Sequence, residues 1–401
     1  MLQNVAIATK QSAISRGSQS IATPMIRQEG PNSVAMHEFS IVRRFRAVMK
    51  RLRPKADRLG VLIGDQASIG LMVISVGLVA ACSEVAPPAS DATPTVAVEA
   101  PAAVVTTTGM IGDLVGSIAG DRGTVTVLMG EGVDPHLFKP TASDVRRLLA
   151  ADLVFHNGLF LEGRMGSVLS QVEGPLGMSV AVTADLPPSS LLQPEGAEAH
   201  PDPHVWMDVQ AWSSTIALIV DALCEIDPEG CDSFGMNATV LVAELAELDR
   251  YVREVIGSIP PDQRVLVTAH DAFGYFGRAY GLDVQGIQGI STESEAGLAD
   301  MNRLVQRLVD GSIPAVFVES SVSEKNIRAL VEGAAAQGHP VVIGGELFSD
   351  AMGAPDSWEG TYPGMIDHNA STIARALGGD VPEGGFRAWR SSGAADETEG
   401  R

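Results

Sequence analysis

The chain reads as an α/β protein of two lobes, each with a mainly parallel sheet flanked by helices. Three observations carry that reading. From residue 103 onward, short β-branched runs alternate with longer segments of helical periodicity, the pattern of parallel sheets. Between two such series, the segment 237–256 (NATVLVAELAELDRYVREVI) spaces Leu241, Leu245, Leu248, Val252 and Val255 at steps of four and three, one apolar face of a long helix. At 401 residues, 45% of them hydrophobic and 5% aromatic, the chain has the length and composition for two globular units and a targeting segment.

In chain order, residues 1–82 form an N-terminal extension and export signal. Residues 1–48 are polar and irregular, longer than a signal requires, and Met49 or another internal start would give a more ordinary one. A basic stretch, 43–58 (RRFRAVMKRLRPKADR), precedes an apolar run of 13 residues, Ile69–Ala81, that ends at Cys82. That run is too short to cross about 30 Å of hydrocarbon as a helix. The sequence LVAAC is similar to a bacterial lipobox, in which the signal is cut before the cysteine and the cysteine receives lipid. Residues 83–102, rich in Pro, Ala and Ser and without periodicity, suit a flexible tether behind Cys82.

Residues 103–236 form the first lobe, with strands at AVVTTTG, TVTVLMG and LVFHNG. Thr141 with Asp144 resembles a capping box that opens a helix at ASDVRRLLAA, which leaves His136 on a strand-to-helix loop. Cys224 and Cys231 bracket the polar loop EIDPEG; in an oxidising compartment they close it as a disulfide, and the alternative is two buried thiols. Residues 237–259 are the linking helix, stopped by Pro260 and Pro261. Residues 260–380 form the second lobe, with strands VLVTA, DVQGI, AVFVES and PVVIGG between helices at AFGYFGRAY, AGLADMNRLVQRLVD and EKNIRALVEGAAAQ. Residues 381–401, Gly, Glu and Ser rich, read as a tail.

A formal net charge of -21 excludes a nucleic-acid partner, which calls for clustered Lys and Arg. Residues 1–82 hold 11 Lys and Arg against 4 Asp and Glu, so the body of the protein is more acidic still and suits a surface that collects cations.

Four candidate metal ligands lie far apart in loop contexts: His136 in GVDPHLFKP, His204 in HPDPHVWMD, His270 in VTAHDAFGYFG and Asp350 in LFSDAMG. Three imidazoles and a carboxylate suit a borderline divalent cation such as zinc. Only a tertiary fold can bring them together. His270 and Asp350 follow strand ends, where ligands gather in open parallel sheets. Asp134, Asp202 and Asp271 stand beside the three histidines as possible partners for the rings. His200 is a spare that reads as a solvated loop residue or an auxiliary ligand, while His156, His339 and His368 read as strand, turn and packing residues.

The stretches GVDPHLFKPTASD, DPHVWMDV, TAHDAFGYFGRAYGL, GISTESEAGLADMN, VESSVSEKNI, LFSDAMG and GTYPGMIDHN resemble, in order over residues 103–378, the cluster A-I solute-binding proteins of bacterial zinc and manganese ABC importers. The resemblance implies two α/β lobes joined by one long rigid helix, with Zn2+ or Mn2+ held in the cleft by His136 and His204 from the first lobe and His270 and Asp350 from the second. Its implied partners are an ABC permease with its ATPase and the membrane, through a lipid on Cys82; a monomer is expected. Histidine at position 270 leans toward zinc. Two rival readings are a secreted zinc hydrolase and a surface adhesin. The first needs an open coordination position and a base, yet HExxH is absent, and Glu293 and Glu319 read as structural rather than as bases.

Overall fold

The computed structural model describes residues 100–176, 179–193 and 200–393. Cys82, the export signal and most of the tether fall outside these residues. Strands β1 (Ala102–Thr108), β2 (Gly123–Met129), β3 (Leu153–His156) and β4 (Ser179–Ala181) form a parallel sheet in the order β2-β1-β3-β4. β3 is buried throughout and β1 from Val104 onward, as central strands should be, whereas β2 at the edge is largely exposed.

Helix α1 (Gly109–Ala119) follows β1 directly and buries Met110, Ile111, Leu114, Val115 and Ile118. It lies close on the sheet because Gly112 has no side chain: a Cβ there would stand 2.5 Å from a Val127 methyl. Helix α2 (Ala142–Ala150) opens with the capping box that the sequence indicates, the Thr141 N–H donating to Asp144 and the Asp144 N–H to the Thr141 hydroxyl. Helices α3 (Gly166–Leu176), α4 (Val209–Ser213) and α5 (Ile216–Ile226) complete this part of the chain.

Helix α6 (Cys231–Gly257) has 27 residues, and at 1.5 Å per residue it is about 40 Å long. It begins ahead of the expected residue 237. Phe234 is buried and carries the apolar face back one turn, and Gly235, which reads as a breaker, faces open space where it costs little packing. All five residues of the expected apolar face are buried. A disulfide joins Cys231 to Cys224 on α5. Near its start the Asn237 amide donates to the carbonyl of Ile118; further along the Tyr251 hydroxyl donates to Asp367 at 2.8 Å. The helix is thereby fastened to both series of strands, and it ends before Pro260 and Pro261.

In the second lobe β5 (Val265–His270) pairs in parallel with β6 (Asp283–Gln288), and β7 (Ala315–Glu319) with β8 (Val342–Leu347). Helices α7 (Gly274–Tyr280), α8 (Leu298–Asp310), α9 (Lys325–Ala336) and α10 (Tyr362–Ala376) flank them. β8 starts later than PVVIGG suggests, since Pro340 has no N–H to give a ladder and pairing opens at Val342. The reading of 381–401 as a tail is corrected over Gly385–Ser391, which form helix α11. Phe386 and Trp389 are buried there against Tyr251 of α6, and the Trp389 indole donates to Glu254. Two aromatic anchors suffice to dock a segment whose other residues are small and polar. One apolar core runs from α1 through Trp206, Trp212, α5 and α6 to α10 and α11.

Candidate metal centre

Each of the four separated residues is fixed by hydrogen bonds to itself or its neighbour, His270 at a strand end and the others in loops. His136 lies in the loop between β2 and α2, where Asp134 accepts its backbone N–H at 2.8 Å. His204 precedes a 3-10 turn, Val205–Met207, and Asp202 accepts both its backbone N–H (2.9 Å) and its ring Nδ1 (2.8 Å). His270 is the last residue of β5; one oxygen of Glu319, the last residue of β7, accepts its backbone N–H and the other binds ring Nδ1 at 2.5 Å. Asp350 follows β8, and the preceding Ser349 carbonyl accepts the Trp206 indole N–H at 2.9 Å.

These supports aim the remaining polar atoms at one point. The His136 and His204 Nε2 atoms are 3.3 Å apart, Asp350 oxygens stand 3.3 Å from His204 Nε2 and 3.2 Å from His270 Nε2, and His136 Nε2 is 3.8 Å from Asp350. One donor atom from each residue lies within 4.8 Å of the others. Four N or O donors about 2.0–2.1 Å from a zinc ion at tetrahedral angles would be about 3.4 Å apart. The observed spacing fits that geometry. His270 Nε2 and both Asp350 oxygens are buried and face one another at ion-pair distance without a well-aligned hydrogen bond, and a cation between them would satisfy all three atoms. His136 is 5% exposed and the other three 2% or less, so the centre is closed to solvent.

Burial alone would raise Asp350, but the neighbouring His270 and His204 outweigh it and hold the carboxyl well below the usual range. Burial pulls His136 down to about 4. On His204 burial acts the same way and is overcome by Asp202 and Asp350, which carry it to about 9; on His270 it is overcome by Glu319 and Asp350, which raise it well above the ordinary value. The carboxylates beside His204 and His270 thus favour the charged imidazoles, and burial favours a neutral His136.

A sequence model of the family described as the periplasmic component A of the zinc-uptake complex matches residues 104–376. The chain belongs to that family. Among its relatives, the zinc-binding protein TroA of Treponema pallidum is 49% identical over 274 residues, covering 68% of this chain and 88% of its own. The manganese-binding lipoprotein MntA of Bacillus subtilis is 47% identical over 274 residues, covering 68% and 89%. The solved structure of the periplasmic zinc-binding TroA superposes with a TM-score of 0.67 at 48% identity, over 69% of this chain and 99% of that one. The two-lobe α/β fold is shared, and the family is one of transport components rather than enzymes.

His200 is not part of the convergent group: its ring lies on that of Phe160, 3.6 Å between centroids. His339 and His368 each meet a backbone carbonyl, of Ile313 and Glu346. Glu293 pairs with Arg164 at 2.7 Å. Glu319, which reads in the sequence as structural rather than as a base, pins the His270 ring where Asp271 stood as the possible partner. The hold of Trp206 on the Asp350 loop is the support that sequence reasoning missed. The strand-end position of Glu319 is a signal only once β5 and β7 are known to be neighbours.

Proposed function

We propose that this protein captures Zn2+ or Mn2+ outside the cytoplasmic membrane and delivers it to an ABC importer. His136, His204, His270 and Asp350 hold one cation per chain. The observation that carries this reading is the convergence of three imidazole nitrogens and a carboxylate on one solvent-free point, at spacings suited to tetrahedral coordination. Such a site has no open position for a reacting water, as storage or carriage requires. The nitrogen-rich donor set favours zinc at equilibrium, because affinity for such sites is higher for Zn2+ than for Mn2+.

His136 and His204 belong to the first lobe, residues 103–236, and His270 and Asp350 to the second, residues 260–380, on either side of the linking helix. A small relative movement of the lobes separates the pairs and frees the cation, and a permease that binds the opened form preferentially drives release. The family works with a permease and its ATPase. The family is extracytoplasmic, and relatives are named lipoproteins; together with the lipobox-like LVAAC this supports a lipid on Cys82 that tethers a monomer to the membrane. Metal analysis of protein purified without chelator, followed by competitive Zn2+ and Mn2+ titration, is expected to find one cation per chain; protein that binds neither would refute the proposal.

A further inference from the structure

One carboxylate joins the His136 loop to the opposite lobe. Asp134 Oδ1 accepts the backbone N–H groups of His136 (2.8 Å) and Leu137 (3.4 Å), which sets where the loop presents His136. Its Oδ2 accepts the hydroxyl of Thr292 at 2.6 Å, a contact between residues 158 apart in the chain. Thr292 is 9% exposed and Asp134 half-buried, so this charge-assisted bond is partly withdrawn from water. The Thr292 segment is itself anchored to the metal centre's other half: the Gln288 amide donates to the carbonyl of Ser294 at 3.2 Å, and Gln288 is the ladder partner of His270. A continuous set of bonds thus runs from the His136 loop to the strand end bearing His270.

We infer that Thr292 and Asp134 form a latch between the lobes that positions His136 and sets how slowly the cation leaves; the inference rests on the metal-capture reading above. Separating the lobes must break this bond together with the coordination, so the latch slows opening without touching the metal. The adjoining residue makes a second crossing contact, Glu293 with Arg164, but their side chains are 49% and 36% exposed, and an exposed pair of this kind contributes little. Thr292 is the positioning residue on the second lobe, and Asp134 on the first.

The test is the rate of Zn2+ release from the full-length protein into excess chelator, measured by stopped flow for the wild type and for Thr292→Val, Thr292→Ser and Arg164→Ala. The valine variant keeps the shape and loses the hydroxyl. It is expected to bind one Zn2+ and release it roughly 10- to 100-fold faster, the range for losing a hydrogen bond to a charged group. Its association rate should stay within about threefold of wild type, an asymmetry that general destabilisation would not produce. Thr292→Ser should restore slow release, and Arg164→Ala should change it by less than about fivefold. Valine and wild-type proteins releasing at the same rate would overturn the latch while leaving the metal site standing, as would a serine variant as fast as the valine. Wild-type protein that binds no Zn2+ would instead overturn the capture reading beneath it.

Discussion

At the scale of single residues, the centre is governed by which carboxylate each imidazole meets. His204 and His270 face Asp202 and Glu319 through Nδ1, which leaves Nε2 for a cation and raises the basicity of the ring. The same contacts raise both rings, His204 to about 9, so metal competes with protons for them, whereas burial pulls His136 down to about 4. Metal affinity should therefore rise steeply with pH through the neutral range, as the raised rings give up their protons to the cation. Calorimetry in buffers of different ionisation enthalpy is expected to count protons released on cation binding at pH 7. Reading the sequence alone, with ordinary histidines, places the weakening only below about pH 6; release of no protons at pH 7 would restore that expectation. The linkage has a second consequence. The raised His204 stabilises the metal-free fold fully below its unfolded value of about 6.5, and that contribution is lost as pH climbs through about 9. Thermal melts of the metal-free protein should therefore fall across that window.

At the scale of elements, the four residues that converge were legible as candidates because each sits in a short motif with its own turn chemistry: DPH twice, and histidine or aspartate at or just after a run of strand residues. The supports were not legible in the same way. Glu319 is 49 residues from His270, and only the adjacency of β5 and β7 brings its carboxylate to the ring. The linking helix was recognisable from its apolar face, yet that spacing was followed only from Asn237, and the turn before it is held by the buried Phe234. Helix α11 was hidden more thoroughly, since a Gly- and Glu-rich context masks the two aromatics that dock it. Trp389 is 4% exposed and packs on both Tyr251 and Phe386. Trp389→Ala should therefore cost about 3 kcal/mol of stability, as truncation of a buried aromatic does. Denaturant unfolding would measure it, and a loss under about 0.5 kcal/mol would return this segment to the status of a tail.

At the scale of the whole molecule, the two series of strands and helices followed from alternation and from the helix between them, and the family match spans the same region. What no pattern in the chain discloses is how the series face each other. Contacts such as the Trp206 indole to the Ser349 carbonyl, and the Tyr362 hydroxyl to the Trp206 carbonyl, join residues more than 140 positions apart and hold the Asp350 loop against the His204 turn. Because the four proposed ligands come from separate segments, losing one of them removes a quarter of the donor set and leaves the supports of the others in place. The most direct test is equilibrium titration of Zn2+ into chelator-stripped wild-type, His270→Ala and Asp350→Ala proteins, each checked for folding by circular dichroism. One tight site in the wild type, and at least a hundredfold weaker binding in both folded variants, is the result that four converging ligands require; wild-type affinity retained in either variant would contradict it.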